Sequence, residues 1–247
     1  LDYIDKISFF MEECRTMQIQ VLPPSANAGD YLFSVEGERT IRFGLGAVKG
    51  LGEASARAII DEREANGPYK SIFDLTARVD LRTLNKRVLE CLVKAGALDA
   101  FGPDRAQYLD ETAAILDKAM QYGQRRQQEA NSAQVSLFGG EGGGDAVLEP
   151  PMPYVKPQTL IERLNAERET IGFYLSGHPL DDFRLEIDTF ATCAIRDLEQ
   201  HRNREVTLAG IVTRVNDRAT KTGARFLVFT IEDFSGELEI ALFKDDY

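Results

Sequence analysis

Apolar residues near the start of the chain recur every three or four positions, at Ile4, Ile7, Phe10, Met11, Cys14 and Met17, and this spacing predicts an amphipathic helix over about Tyr3–Thr16. Gln18–Leu22 then reads as a short extended run stopped by Pro23-Pro24, and Tyr31–Val35 and Thr40–Phe43 flank a polar Glu36-Gly37-Glu38-Arg39 turn as a small β-hairpin. From Ile41 to Glu64 (IRFGLGAVKGLGEASARAIIDERE) the pattern predicts two helices joined at Lys49, Gly50, Leu51 and Gly52, the second beginning near Glu53. Val48 and Leu51 turn inward, and Ala54 and Ala58 let the second helix pack closely. Asn66-Gly67-Pro68 breaks that helix. Ser71 N-caps a helix carrying Ile72, Phe73, Leu75 and Val79, and Asp80–Leu84 connects it without glycine to a helix opened by Asn85. That last helix has Val88, Leu89, Leu92 and Val93 inward, and Gly96 ends it.

The second half is patterned differently. Leu109, Ala113, Leu116 and Met120 mark a helix from Arg105 to about Gln121, followed by a polar, poorly periodic stretch (QYGQRRQQEANSAQ) and a glycine-rich linker at Gly139–Asp145. After Pro150-Pro151-Met152-Pro153, Leu160, Leu164, Ile171 and Leu175 predict a helix over Thr159–Tyr174 that runs into Ser176-Gly177-His178-Pro179-Leu180. From Glu205 the period becomes that of strands, in VTLAGIVTRVND, ARFLVFTIED and GELEIALF. The fold class expected is therefore α+β, a helical domain followed by a linker and an incomplete β-barrel, since only three strands fit before Tyr247.

Composition adds limits. A hydrophobic share of 43% with 28% charged residues suits folded protein, and no run of about 18 apolar residues occurs. Leu1-Asp2-Tyr3-Ile4-Asp5 has neither an initiating Met nor a basic leader and reads as the start of an excised piece. Cys14, Cys91 and Cys193 are scattered in apolar or helical settings, which argues against disulfides or a zinc ribbon and for a reducing cytoplasm. His178 and His201 have no partners at ligand spacing, so neither a metal site nor a bound cofactor is expected in this chain, and His178 reads as a capping or packing residue.

The net charge of −11 argues against a nucleic-acid partner until it is resolved along the chain. Between Ile41 and Tyr108 there are 11 Lys/Arg against 9 Asp/Glu, a balance of +2 that leaves −13 to the remainder, and Arg78–Lys94 holds five basic residues against two acidic. Only charges within a Debye length of roughly 8–10 Å guide a phosphate, so the local patch decides.

Gly50 and Gly52 supply the bare backbone of a tight turn whose N–H groups, with those of the next helix, cradle a phosphate. This stretch resembles the helix-hairpin-helix motif of DNA repair and replication proteins, which grips the backbone without reading sequence. An ordinary αα-hairpin with a glycine turn has the same pattern. Tyr69–Gly102 resembles a second, degenerate unit, and two such units commonly form one domain that straddles the minor groove. The resemblance implies DNA contacts at Lys49, Gly50, Leu51 and Gly52 in the first unit and at Arg82, Asn85, Lys86 and Arg87 in the second. Lys86 and Arg87 oppose the helix dipole there, a cost that a nearby anion removes.

Gln134-Val135-Ser136-Leu137-Phe138 places two large apolar residues in polar company with no local core. QVSLF resembles the sliding-clamp-binding motif of bacterial polymerases, while a short anchor folding back on the helical domain is the other reading. The strand region, with a basic Lys221-Thr222-Gly223 turn and a turn at Phe234-Ser235-Gly236, resembles an OB-fold. Lys221, Arg225, Phe226 and Phe229 are then the candidates for single-stranded DNA, although alternating aromatics also serve as barrel core.

The order of these parts, with the runs ECRTMQIQVLPPSAN, GLGAVKGLGEASARAI, RVDLRTLNKRVLECLVKAGALDAFG, ERETIGFYLSGHPL and GHPLDDF, resembles the alpha subunits of bacterial DNA polymerase III over nearly the whole chain. That resemblance implies the end of a fingers domain at 1–40, tandem helix-hairpin-helix units at 41–131, a linker with the clamp motif at 132–158, a helical connector at 159–200, and part of an OB domain at 201–247. It also implies a DNA-directed DNA polymerase as parent, with Mg held by a palm absent from this stretch. Primer-template duplex, single-stranded template, the sliding clamp and other replicase subunits are the partners it implies, with no membrane. A DNA ligase, which also joins OB and helix-hairpin-helix units, would need four zinc-ligating Cys and a KxDG lysine, and both are missing. A repair or DNA-uptake scaffold built from the same modules is the remaining alternative.

Overall fold

The computed structural model of the chain describes residues 10–11, 13–14, 16–135, 148–219 and 225–243. The chain divides into two compact units, Cys14–Ser176 and a second formed by Gly177–Tyr247 with Leu1–Glu13. Of the helix expected over Tyr3–Thr16, Phe10, Met11, Glu13, Cys14 and Thr16 are described, and they are helical.

The larger unit opens with a small sheet, β1 (Gln20–Leu22), β2 (Ser34–Val35) and β3 (Thr40–Arg42), in the order β1-β3-β2. The expected hairpin forms as β2 and β3 and is closed by an ion pair between Glu36 and Arg42. The Gln18–Leu22 run adds to it as a parallel strand, with Val21 opposite Ile41. β3 corrects the expectation of two helices between Ile41 and Glu64. Ile41 and Arg42 are strand, and only Leu45–Ala47 winds, as one 3-10 turn. The reason is where the donors go: the N–H groups of Leu45 and Gly46 bond to the carbonyls of Asp30 and Tyr31, at 2.8 and 2.9 Å, and are lost to any local helix.

The second helix of that stretch is present as α1 (Glu53–Asn66). α2 (Ile72–Arg78) and α3 (Lys86–Lys94) follow as expected, capped by Ser71 and Asn85, whose side chains accept the N–H groups of Asp74 and Val88. Ile59, Phe73, Leu75, Leu89 and Leu92 form the centre of the core.

The single helix expected from Arg105 to Gln121 is two. α4 (Arg105–Leu109) ends at Asp110, whose carboxylate accepts the Ala113 N–H at 2.6 Å, and the chain turns through Ala114 at φ 49 before α5 (Ile115–Val135). α5 continues through the polar stretch that lacks periodicity. Gln, Arg, Glu and Ala are good helix formers, and Gln127 donates to the carbonyls of Thr76 and Val79, at 2.9 and 2.8 Å, which the end of α2 leaves without helical partners. The next helix, α6 (Leu160–Thr170), starts with a capping box between Thr159 and Glu162.

The smaller unit carries α7 (Arg184–Phe190) and the antiparallel sheet β4 (Ile211–Ala219), β5 (Arg225–Glu232) and β6 (Glu237–Phe243). The first strand begins later than the Val206 start of its apolar run, because Thr207 bonds instead to Thr192. Asp233 forms the β5–β6 turn by accepting from Ser235 and Gly236, and its other oxygen takes the Ile195 N–H at 2.7 Å. Among the described residues the sheet is open, with three strands, in keeping with an incomplete OB-like fold. His178 is a turn residue: its ring Nδ1 accepts the Leu180 N–H, its own N–H donates to Asp181, and the ring lies 4.5 Å from that of Phe234.

Candidate nucleic-acid interface

The first turn is built around Gly50, which adopts φ +85, where L-residues with a Cβ are strained. A Cβ there would also stand 2.7 Å from the Cys91 sulfur of α3, so the turn packs directly on the second hairpin. Leu51 is buried and serves the core. Gly52 is exposed and is the N-cap of α1, with no side chain over the helix end. Val48 is buried as expected; Ala54 is exposed, whereas Ala56 is fully buried.

The two turns are stitched to each other. Ser55 of the first turn of α1 donates its hydroxyl to the Thr83 carbonyl, 2.8 Å away and two residues before the Asn85 cap of α3. This bond holds the N-terminal ends of α1 and α3 side by side, so two sets of unpaired backbone N–H groups and two positive dipole ends lie together. Nothing in the sequence period marks Ser55 as special. A lone hydroxyl in an Ala-rich helix start is the only signal it gives.

Charge differs between the two ends. Glu53 occupies the first turn of α1 and pairs with Arg57 at 2.8 Å, which makes that end less attractive to an anion. The first turn of α3 has no acid and exposes Lys86 and Arg87. Asn85 uses its side-chain oxygen on the helix cap. Lys86 reaches Asp117 of α5 at 2.7 Å, and Arg82 folds onto Asp80 at 2.6 Å. The hydrogen bond from Arg82 holds the Asp80 carboxyl below its usual range. Among the described residues no carboxylate pairs with Arg87 or Lys49. Asp80, Arg82 and Asp117 also line a groove of about 880 Å³ between the second turn and α5. Asp80 and Asp117 thus engage two of the expected basic residues, and reading for basic residues alone does not find them.

A buried charge cluster behind the turns also escapes that reading. Arg105, 3% exposed, donates to Asp99 at 2.8 and 2.6 Å, to the Lys94 carbonyl, and to Glu167 at 3.0 Å. Burial disfavours the charged guanidinium, but the hydrogen bond and charge of Asp99, with those of Glu167, outweigh it and leave the Arg105 pKa raised. Glu167 is wholly buried and also accepts from the N–H groups of Leu175 and Ser176 and from the Ser176 hydroxyl.

The other candidates are distributed as follows. Gln134 and Val135 are the last residues of α5, while Ser136, Leu137 and Phe138 lie outside the described residues. Lys221 also lies outside them. Arg225 is exposed and pairs with Asp217 at 3.5 Å. Phe226 stacks on Phe243, with ring centroids 5.0 Å apart and planes 13° from parallel. Phe229 is three residues on in an unbroken register, so it points to the opposite face of the sheet, and the two rings do not make one stacking surface. Among the described residues no three His, Cys, Asp or Glu side chains are grouped as a metal site, and no helix is long and apolar enough to cross a membrane.

A family model described as a helix-hairpin-helix motif matches residues 18–108. The DNA polymerase III subunit alpha of Vibrio cholerae is 35% identical over 246 residues, taking in 99% of this chain and 21% of that protein. That of Escherichia coli K12 is 35% identical over 248 residues, with 99% and 21% covered. The Thermus aquaticus protein of the same name is 38% identical over 248 residues, with 98% and 19% covered. The chain thus spans about a fifth of the length of these relatives.

Proposed function

Because the chain is homologous along nearly its whole length to a segment of the DNA polymerase III alpha subunits, we propose that it is the DNA-holding and clamp-docking part of a replicative DNA-directed DNA polymerase. The observation that carries the grip is the Ser55–Thr83 bond, which sets two helix N-termini side by side with Gly52, Lys86 and Arg87 exposed around them. Backbone N–H groups, dipole ends and cations all address phosphate and none reads a base edge, so the hold on duplex is indifferent to sequence. This suits an enzyme that must slide along its product.

QVSLF supplies the tether. Gln134 and Val135 end α5, and Leu137 and Phe138 are the apolar pair that a pocket on a sliding clamp would take. In the smaller unit the candidates for single-stranded template are Arg225 and Phe229 on one face of β5 and the Phe226–Phe243 stack on the other, together with Lys221. Each contact is weak alone, and linking them raises the effective concentration for the next to roughly millimolar. Nucleotide transfer belongs to a palm elsewhere in the parent polypeptide, where acidic residues would hold Mg in a cytoplasmic replicase with its other subunits. This segment by itself performs no incorporation.

Equilibrium binding to fluorescent duplexes of unrelated sequence, followed by clamp binding, tests the reading. Equal affinities for the duplexes, weakened by Lys86→Gln with Arg87→Gln, are expected. Clamp binding lost when Gln134, Leu137 and Phe138 are changed to Ala is expected as well. A strong preference for one sequence, or clamp binding unchanged in the triple variant, would refute the corresponding half.

A further inference from the structure

α6 and the segment after it pack against the first hairpin turn. The Lys49 N–H donates to the carbonyl of Thr170 at 2.7 Å. The Lys49 side chain crosses Gly172, where a Cβ would stand 3.2 Å from Nζ and 3.5 Å from Cε. Gly172 is at φ +106, so the backbone exploits the missing side chain twice, for its conformation and for the passage of the lysine. This end of α6 is itself fixed at three points: Glu167 on Arg105, Glu169 on Lys94 of α3 at 3.1 Å, and Phe173 edge-on to Phe43 at 5.8 Å.

We propose that Glu167, Thr170 and Gly172 form a brace that orders Lys49 for a backbone phosphate at the first turn. The inference rests on the reading that the hairpins hold duplex DNA, and it adds positioning residues more than a hundred positions away in sequence. Its electrostatic logic separates Lys49 from its neighbours. Arg82 and Lys86 are each held by a carboxylate that must be displaced before they meet a phosphate. Lys49 lies instead at the C-terminal end of an 11-residue helix, whose dipole attracts an ammonium with only partial charge. The cation is thus ordered, so less side-chain freedom is lost on binding, while its full charge stays available to an incoming anion.

Duplex binding by the full chain over a salt series tests this, with Gly172→Ala, Lys49→Ala and the double variant compared with wild type. If Lys49 contributes one phosphate contact, its loss lowers the slope of log affinity against log salt by roughly 0.9, so raising salt from about 50 to 200 mM weakens wild type by roughly 3.5-fold more than the variant. Gly172→Ala is expected to lower affinity and slope in the same direction, and to have no further effect in the Lys49→Ala background. A variant that merely loosened the fold would not remove one unit of charge from the slope. Glu167→Gln removes the charge that pairs with Arg105 and leaves Gly172 in place, and it serves the same comparison should Gly172→Ala fail to fold. Wild-type slope and affinity in a folded Gly172→Ala, or equal losses with and without Lys49, would overturn the brace alone. Failure of the wild-type chain to bind duplex would overturn the hairpin reading, and the brace with it.

Discussion

Glu167→Ala is expected to destabilise the helical unit more than any surface change at the hairpins. The carboxylate is fully buried and accepts from Arg105, from two backbone N–H groups and from the Ser176 hydroxyl. Breaking a buried ion pair by removing one partner costs about 3–5 kcal/mol, chiefly through the charge left behind. Here Arg105 keeps two bonds to Asp99 and one to the Lys94 carbonyl, which puts the expected loss near the lower end, at about 3 kcal/mol. The Leu175 and Ser176 N–H groups lie where the chain is part-exposed, so water takes over their acceptor and adds little. The assay is equilibrium unfolding in urea followed by far-UV circular dichroism. With a urea dependence of about 2 kcal/mol per molar, the helical transition should move down by roughly 1.5 M. Changing both partners, Arg105→Met with Glu167→Leu, should recover part of the loss, since no charge is then buried unpaired. A single-variant shift below about 0.3 M, corresponding to roughly 0.6 kcal/mol, would refute the reasoning.

Asp117→Asn is expected to raise duplex affinity, because it frees Lys86 from an exposed ion pair whose kind is worth about 0.2–1 kcal/mol, or roughly 1.4- to 5-fold in binding; anisotropy titration reads it, and weaker binding would count against the assigned interface. Gly50→Ala should cost about 1–3 kcal/mol, from positive φ and the approach to Cys91, and appear as a lowered thermal midpoint, with an unchanged midpoint contradicting the turn geometry. The hydrogen bond from Arg42 lowers the pKa of Glu36, so its contribution to stability is complete above the ordinary carboxylate range and is lost as pH falls through the lowered folded value. Glu36→Gln should therefore flatten the acid side of the stability profile within that window, and an unaltered profile would show that the pair contributes nothing.

Much of the candidate site is legible in the sequence because helix caps and apolar periodicity are local. Ser71 and Asn85 cap the helices expected of them, and Val88, Leu89, Leu92 and Val93 face inward. The departures arise where a distant segment takes the backbone or side-chain bonds. Leu45 and Gly46 donate to Asp30 and Tyr31, which leaves one 3-10 turn where the pattern predicts a helix. Gln127 reaches the end of α2 and keeps α5 helical through residues that show no amphipathic stripe. The Arg105–Glu167 pair spans 62 positions, and Ser55 meets Thr83 across 28, so neither has a periodic signature. The basic residues are visible in the sequence, and so is Asp80 two positions before Arg82, whereas the Asp117 carboxylate that holds Lys86 emerges only once α5 lies beside the second turn.

The salt dependence of duplex binding tests the central claim most directly. With Lys49, Arg82, Lys86 and Arg87 as the cations at the two turns, three to four phosphate contacts give a slope of roughly −3 to −4 in log affinity against log salt, the same for duplexes of unrelated sequence. A flat response, or a slope that changes with base sequence, would contradict a grip built on phosphates.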